Sequence, residues 1–241
     1  MKKIVKDYEN TNYFLWQYAN QTGIKRTLDW IGDIRYNIIG EPKPKLVNLV
    51  RKKITEIVEK YPTNNLRLVN VIEPIKPIKV FEGKGKEVFL TIKGHVGQYN
   101  DNVRAITIFD KKDFVNEFNK KSINHLVKNN VNLKTIENRF YKYALWHEYG
   151  HHLFFELVKR SNHHHTIMKS LYDRLHYFIR NNKPITPYVI RYKNDKQTMI
   201  NETFAESFAI DHEIIPKMPY NKTTKDNLDD LIQKWRSCYG I

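Results

Sequence analysis

Apolar positions recur along this chain with two different periods, and the changes of period divide it into segments. Residues 4–22 carry Ile4, Val5, Tyr8, Tyr13, Phe14, Trp16 and Tyr18 at ragged helical spacing, with Gly23 as a stop. A clearer helix runs from Pro44 to Lys60, with Leu46, Val47, Leu49, Val50, Ile54 and Ile57 on one face, a Glu56/Lys60 pair four apart, and Pro62 as terminator. The period then shortens to two. The runs 66–74, 78–82, 87–93 and 103–109 are short, β-branched and aromatic, and are bounded by Pro74, Pro77, Gly83, Gly85, Gly94 and Gly97. The alternation over 103–109 suits an edge strand with one wet side. Helical spacing returns over 111–128, 135–159, 163–181 and 201–212. Residues 181–195 form a loop, and a last helix begins at Thr223 or Thr224 and runs through Ser237.

Strands grouped apart from helices predict an α+β fold with a small, mostly antiparallel sheet. The stretch 61–65 marks a soft boundary. It separates an N-terminal helical segment, residues 1–62, from a main domain over 63–241.

Composition refines this picture. Hydrophobic residues make up 41% of the 241 positions, enough for a substantial core. Cys238 is the single cysteine, so an internal disulfide and a cysteine-built metal cluster are both excluded. The charge is +15, with lysines spread along the chain. That balance favours anionic partners and leaves nucleic acid open as one. Lys6, Asp7 and Glu9 break any apolar core of a secretory signal, and no run approaches the roughly 20 apolar residues of a membrane span. The expectation is a soluble protein, cytoplasmic or associated with a virion or similar assembly.

The chemistry concentrates in "ALWHEYGHHLFF", Ala144–Phe155. His147 and His151 are four apart, one turn along a helix, so two imidazole nitrogens can converge on one Zn²⁺. Glu148 sits further round, where it serves a water on that ion as general base. Leaving these groups unpartnered among Leu145, Trp146, Leu153 and Phe154 would cost several kcal/mol. Gly150 is expensive inside a helix, and a bare backbone there admits a neighbouring element. His152 points away from the pair.

A catalytic zinc needs a third protein ligand. A histidine six residues after His151 would supply it, but that position is Leu157. "NETFAESFAIDH", Asn201–His212, offers Glu202 and Glu206 one turn apart in an apolar run. One can ligate the metal and the other can hold a histidine ligand through its outer ring nitrogen. Asp211 and His212 stand in reserve as a third ligand or an oxyanion donor. The triplet His163–His165 reads as an exposed polar loop.

H-E-x-G-H followed by E-x-F-A-E-x-F resembles the gluzincin class of zinc metallopeptidases, and most nearly the catalytic domain of the anthrax lethal factor type. It is also similar to short metallopeptidases of phages and mobile elements. The resemblance covers residues 144–155 and 201–209. It implies a zincin-like domain over 63–241 that hydrolyses a protein or peptide substrate. It also implies that His147, His151 and Glu202 bind Zn²⁺, Glu148 is the base and Glu206 orients His147. Such domains place an oxyanion-stabilising tyrosine about two helical turns before the third ligand. Here that neighbourhood holds Asp195, and Tyr192 and Tyr188 are the nearest phenols, with Tyr192 the first candidate. The rival expectation is a zincin-fold module without activity, structural or associated with nucleic acid in a phage or mobile-element assembly.

Overall fold

The computed structural model describes residues 5–7, 11–61, 65–82, 86–91, 96–111, 133–156, 165–213, 215 and 219–239. Its centre is a five-stranded mixed sheet made of β2 (Arg26–Ile31), β3 (Ile34–Ile39), β4 (Leu68–Ile72), β8 (Ala105–Phe109) and β7 (Gly97–Asn100), in that spatial order. β3, β4 and β8 run parallel, and β2 and β7 flank them antiparallel. The fold is therefore α+β, but the expected mostly antiparallel sheet is corrected. A parallel pair needs a crossover of a dozen or more residues. Helix α2 (Pro44–Lys60), between β3 and β4, is that crossover.

The expected helical character of residues 1–62 is corrected for the same reason. Residues 26–39 form a hairpin about Gly32, whose φ of 56° lies in the left-handed region. Its second strand joins β4, so the sheet crosses the boundary placed at 62/63. The start of the chain differs too: β1 (Val5–Asp7) precedes α1 (Thr11–Thr22) where one helix over 4–22 was expected. β1 pairs with β6 (Lys86–Thr91), and β6 with β5 (Ile78–Glu82), in a separate three-stranded sheet.

The main core lies between the large sheet and the helices. Ile34, Tyr36, Val69, Val71, Ile106 and Ile108 pack against Leu46, Val50, Ile54 and Ile57 of α2 and against α3 (Leu133–Phe154). A smaller cluster of Tyr18, Ile72, Ile78, Val88 and Phe109 joins α1 and the small sheet to the other sheet face. β8 contributes to both clusters and all five of its residues are buried. The expectation of an edge strand over 103–109 is thus corrected. Its polar member, Thr107, accepts from Asn70 Nδ2 at 3.1 Å, which satisfies both groups. β7 is the edge.

The remaining helices are α4 (His165–Asn181), α5 (Lys196–His212) and α6 (Lys222–Tyr239). α5 starts five residues before the periodicity suggested, because Asp195 caps it: its carboxylate accepts from Thr198 N at 3.1 Å and from Thr198 Oγ1 at 2.6 Å. Asn221 Oδ1 accepts from Thr224 N at 3.1 Å at the start of α6. The helix expected over 111–128, the boundary residues 62–64, the end of the helix expected over 135–159 (residues 157–159), and His163 and His164 lie outside the described residues, apart from Lys111 at the first helix's start. Among the described residues, no helix is long and apolar enough to cross a membrane.

Candidate metal centre

α3 and α5 pack side by side, and Gly150 is what lets them. A Cβ on Gly150 would lie 2.9 Å from Ala205 Cα and 3.2 Å from Phe208 Cβ. The bare backbone expected there is the contact surface for α5. This approach aligns the polar residues of one helix with those of the other.

His147, His151 and Glu202 are all buried, and together they could hold a metal ion. The two Nε2 atoms are 3.0 Å apart, and Glu202 Oε2 lies 3.3 Å from the first and 3.6 Å from the second. Glu202 Oε2 is buried without an aligned hydrogen-bond donor. Three donor atoms this close need a cation between them, either a proton or a metal. An ion with tetrahedral bonds of about 2.0–2.1 Å spaces its ligands by about 3.3–3.4 Å, and the three spacings fall on either side of that value. The donor set and its geometry fit a divalent ion.

Surrounding groups set the ring orientations. Glu206 Oε1 lies 3.0 Å from His147 Nδ1. Asn201 Oδ1 lies 2.9 Å from His151 Nδ1, so each outer nitrogen has an oxygen beside it and each Nε2 is left to the centre, although Glu206 Oε1 is not aligned for a hydrogen bond with His147 Nδ1. Asn201 is a site residue that sequence reasoning missed, although its place directly before Glu202 was a usable signal. Tyr143 was also missed. Its ring stacks on His147 at 6.5 Å, and its hydroxyl faces Glu206. Burial, then the Glu206 charge, pushes that hydroxyl well up, so it stays a donor.

Burial works against the charged form of His147, but Glu202 and Glu206 outweigh it and hold the imidazole well above its usual range. Burial likewise pushes the Glu202 carboxyl up, and its contacts with His147 and His151 reverse this and hold it well below the carboxylate range. Without a metal, the centre therefore retains a proton on the histidine side.

Glu148 is buried beside the centre but outside the ligand group. Burial raises its carboxyl, against the pull of His147 and His151, and the Tyr99 backbone N–H donates to it. Its room comes from β7: a Cβ on Gly97 would sit 2.8 Å from Glu148 Cγ. The cleft over these groups has a volume of about 330 Å³ and is walled by Gly97, Gln98 and Tyr99 of β7, by Phe154 and Phe155, and by Tyr188 and Tyr192.

Both candidate phenols reach this cleft. Tyr188 stands edge-on to His147 with ring centroids 5.9 Å apart, and its hydroxyl lies 3.1 Å from that of Tyr192. Burial and the charge of Glu202 push the Tyr188 hydroxyl far up, so it stays protonated. Residues 189–192 form a 3-10 turn that brings the two rings together.

The reserve candidates are corrected. His212 is stacked between Trp146 and Phe208, at 4.1 and 4.3 Å, and its Nε2 meets Lys60 Nζ and Tyr61 Oη. It lies at the end of α5, ten residues past Glu202, half-buried against the C-terminal end of α2. Asp211 pairs with Lys225 Nζ at 2.7 Å. His152 faces away from the centre, as expected, with Nδ1 3.1 Å from Tyr99 Oη. No protein-family model matches the chain, and a comparison with curated proteins gives no match.

Proposed function

We propose that the protein is a zinc-dependent endopeptidase of the gluzincin type, holding Zn²⁺ through His147, His151 and Glu202. The observation that carries this reading is the convergence of those three buried donors with a fourth group, the Glu148 carboxylate, beside them but not among them. A purely structural metal site would use a closed set of four protein ligands; among the described residues this one has three, opening on a cleft. A bound Zn²⁺ would polarise the scissile carbonyl and acidify a water.

The chain's own residues perform the remaining steps. Glu148, its carboxyl raised by burial, takes a proton from the attacking water and delivers it to the leaving amine. Tyr188, kept protonated by burial, donates a hydrogen bond to the carbonyl oxygen as negative charge develops there, and Tyr192 holds its hydroxyl in place. β7, the outer strand beside Glu148 among the described residues, takes the substrate backbone as an added antiparallel strand. Phe154, Phe155 and Tyr99 give the cleft an apolar wall for substrate side chains.

Glu148→Gln tests the reading. The variant should bind one zinc per chain and lose about 10²–10⁴-fold of its activity on a peptide library. Equal cleavage by parent and variant, both zinc-loaded, overturns the role of Glu148. A zinc-loaded parent that cleaves nothing in the library favours the inactive binding module instead.

A further inference from the structure

Glu148 reaches across to β7, and the point where it lands gives that strand a second task. Phe109 N donates to Val96 O at 2.9 Å, so these two residues form a hydrogen-bonded pair of the β7–β8 ladder. Such pairs alternate along antiparallel strands. Gln98 with Thr107 and Asn100 with Ala105 are the next two, and Gly97 and Tyr99 turn their N–H and C=O groups outward. The outward N–H of Tyr99 is the one that donates to Glu148. The carboxylate lies close against the strand here, with Oε1 2.9 Å from where a Cβ of Gly97 would stand.

The same helix grips Tyr99 a second time. His152 follows Glu148 by one turn of α3, on the same face, and is fully buried. Its Nδ1 lies 3.1 Å from Tyr99 Oη, and the two rings meet edge-on with centroids 5.5 Å apart. His152 takes no part in the ligand group, and its contribution to the site is this contact. One β7 residue is thus bound through its backbone by Glu148 and through its side chain by His152.

We propose that Tyr99 and His152 are positioning residues for Glu148, the Tyr99 N–H holding the carboxylate and the His152 contact holding Tyr99. This rests on the reading of Glu148 as the general base. A glutamate side chain samples several rotamers unless something fixes it, and a base works only from a set orientation toward its proton. A strand N–H is a firm tether because it cannot rotate away, and a bond to a charged acceptor is stronger than one between neutral groups. The arrangement also divides the outer edge of β7. Tyr99 has given its N–H to the base, so an added strand cannot bond it there. Of the two outward residues, Gly97 is the one that can offer such a strand both backbone groups, and it is where the substrate backbone docks.

Backbone esters separate the two roles. The α-hydroxy analogue of tyrosine at position 99, or of glycine at position 97, replaces one N–H by oxygen. Both N–H groups point outward, so neither change removes a donor from the β7–β8 ladder. With zinc-loaded protein and a peptide selected from the library, the ester at 99 should lower kcat about 10–100-fold with KM little changed, and the ester at 97 should raise KM about 3–10-fold. Tyr99→Phe keeps the N–H but loses the hydroxyl, and should lower kcat about 3–10-fold. An ester at 99 that raises KM and spares kcat overturns the proposal, and an unchanged kcat in Tyr99→Phe overturns the part given to His152. A second measurement needs no cleavage: hydrogen exchange of the Tyr99 amide in chelated, 15N-tyrosine-labelled protein. Glu148→Ala should speed that exchange about tenfold or more with an unchanged circular dichroism spectrum, and an unchanged rate overturns the tether. Faster exchange in a protein that cleaves no peptide upholds the tether and sinks the endopeptidase reading instead.

Discussion

At the scale of single residues, the metal centre depends on what stands behind the ligands. His151 can present Nε2 to an ion only if Nδ1 carries the hydrogen, and Asn201 Oδ1 at 2.9 Å accepts it. Removing that acceptor frees the ring to rotate and to change tautomer. Asn201→Ala should therefore lower zinc affinity by about 10–100-fold, measured by competition with a chromophoric chelator, while the secondary structure is unchanged. An affinity equal to the parent's would show that the amide does not orient His151.

At the scale of elements, the site is a product of two helices and one strand in register. α5 can deliver Glu202 to α3 only where Gly150 has no side chain, because the atom it would strike is the Ala205 backbone and cannot rotate away. Alanine would gain about 1 kcal/mol of helix propensity, yet forcing the helices apart costs typically 1–3 kcal/mol. Gly150→Ala should lower Tm by several degrees and weaken metal binding along with it, as read by calorimetry and metal titration. A higher Tm with unchanged affinity would contradict the close-packing account. Gly97 plays the corresponding part on β7, leaving space for Glu148.

At the scale of the whole molecule, a proton and the proposed metal would compete for one centre. The folded His147 is held above the ordinary imidazole range, because Glu202 and Glu206 outweigh the burial that opposes its charge. A group with a raised folded value contributes stability that is fully present below its unfolded value, about 6.5, and is lost as the pH rises through the folded one. The chelated protein should thus lose stability with rising pH above neutrality. A metal must displace that proton, so its binding strengthens over the same interval. The difference in Tm between zinc-loaded and chelated protein is expected to widen from about pH 6 to about pH 9. At a free zinc concentration one hundred times its Kd, the metal should contribute about 2.7 kcal/mol. A difference that stays constant or narrows with pH would argue against competition at His147.

The local sequence by itself determined α2, to the residue, and placed α3 and α4 within a few residues, because amphipathic periods and terminators are short-range signals. It also determined the pairing of His147 with His151, since a spacing of four is a property of any helix. It could not determine β2 and β3: alternation over "RTLDWI" and "IRYNII" is partial, because one strand is an exposed edge and the other is buried unevenly. The parallel order of the sheet, the edge position of β7 and the burial of β8 depend on contacts between residues tens of positions apart, which no local period encodes. The same holds within the site. Helix spacing left the roles of Glu202 and Glu206, and of Tyr188, Tyr192 and His212, open. The packing of α5 on α3 at Gly150 decided which side chains face the centre and which, like His212, are held against Trp146 and the end of α2 instead.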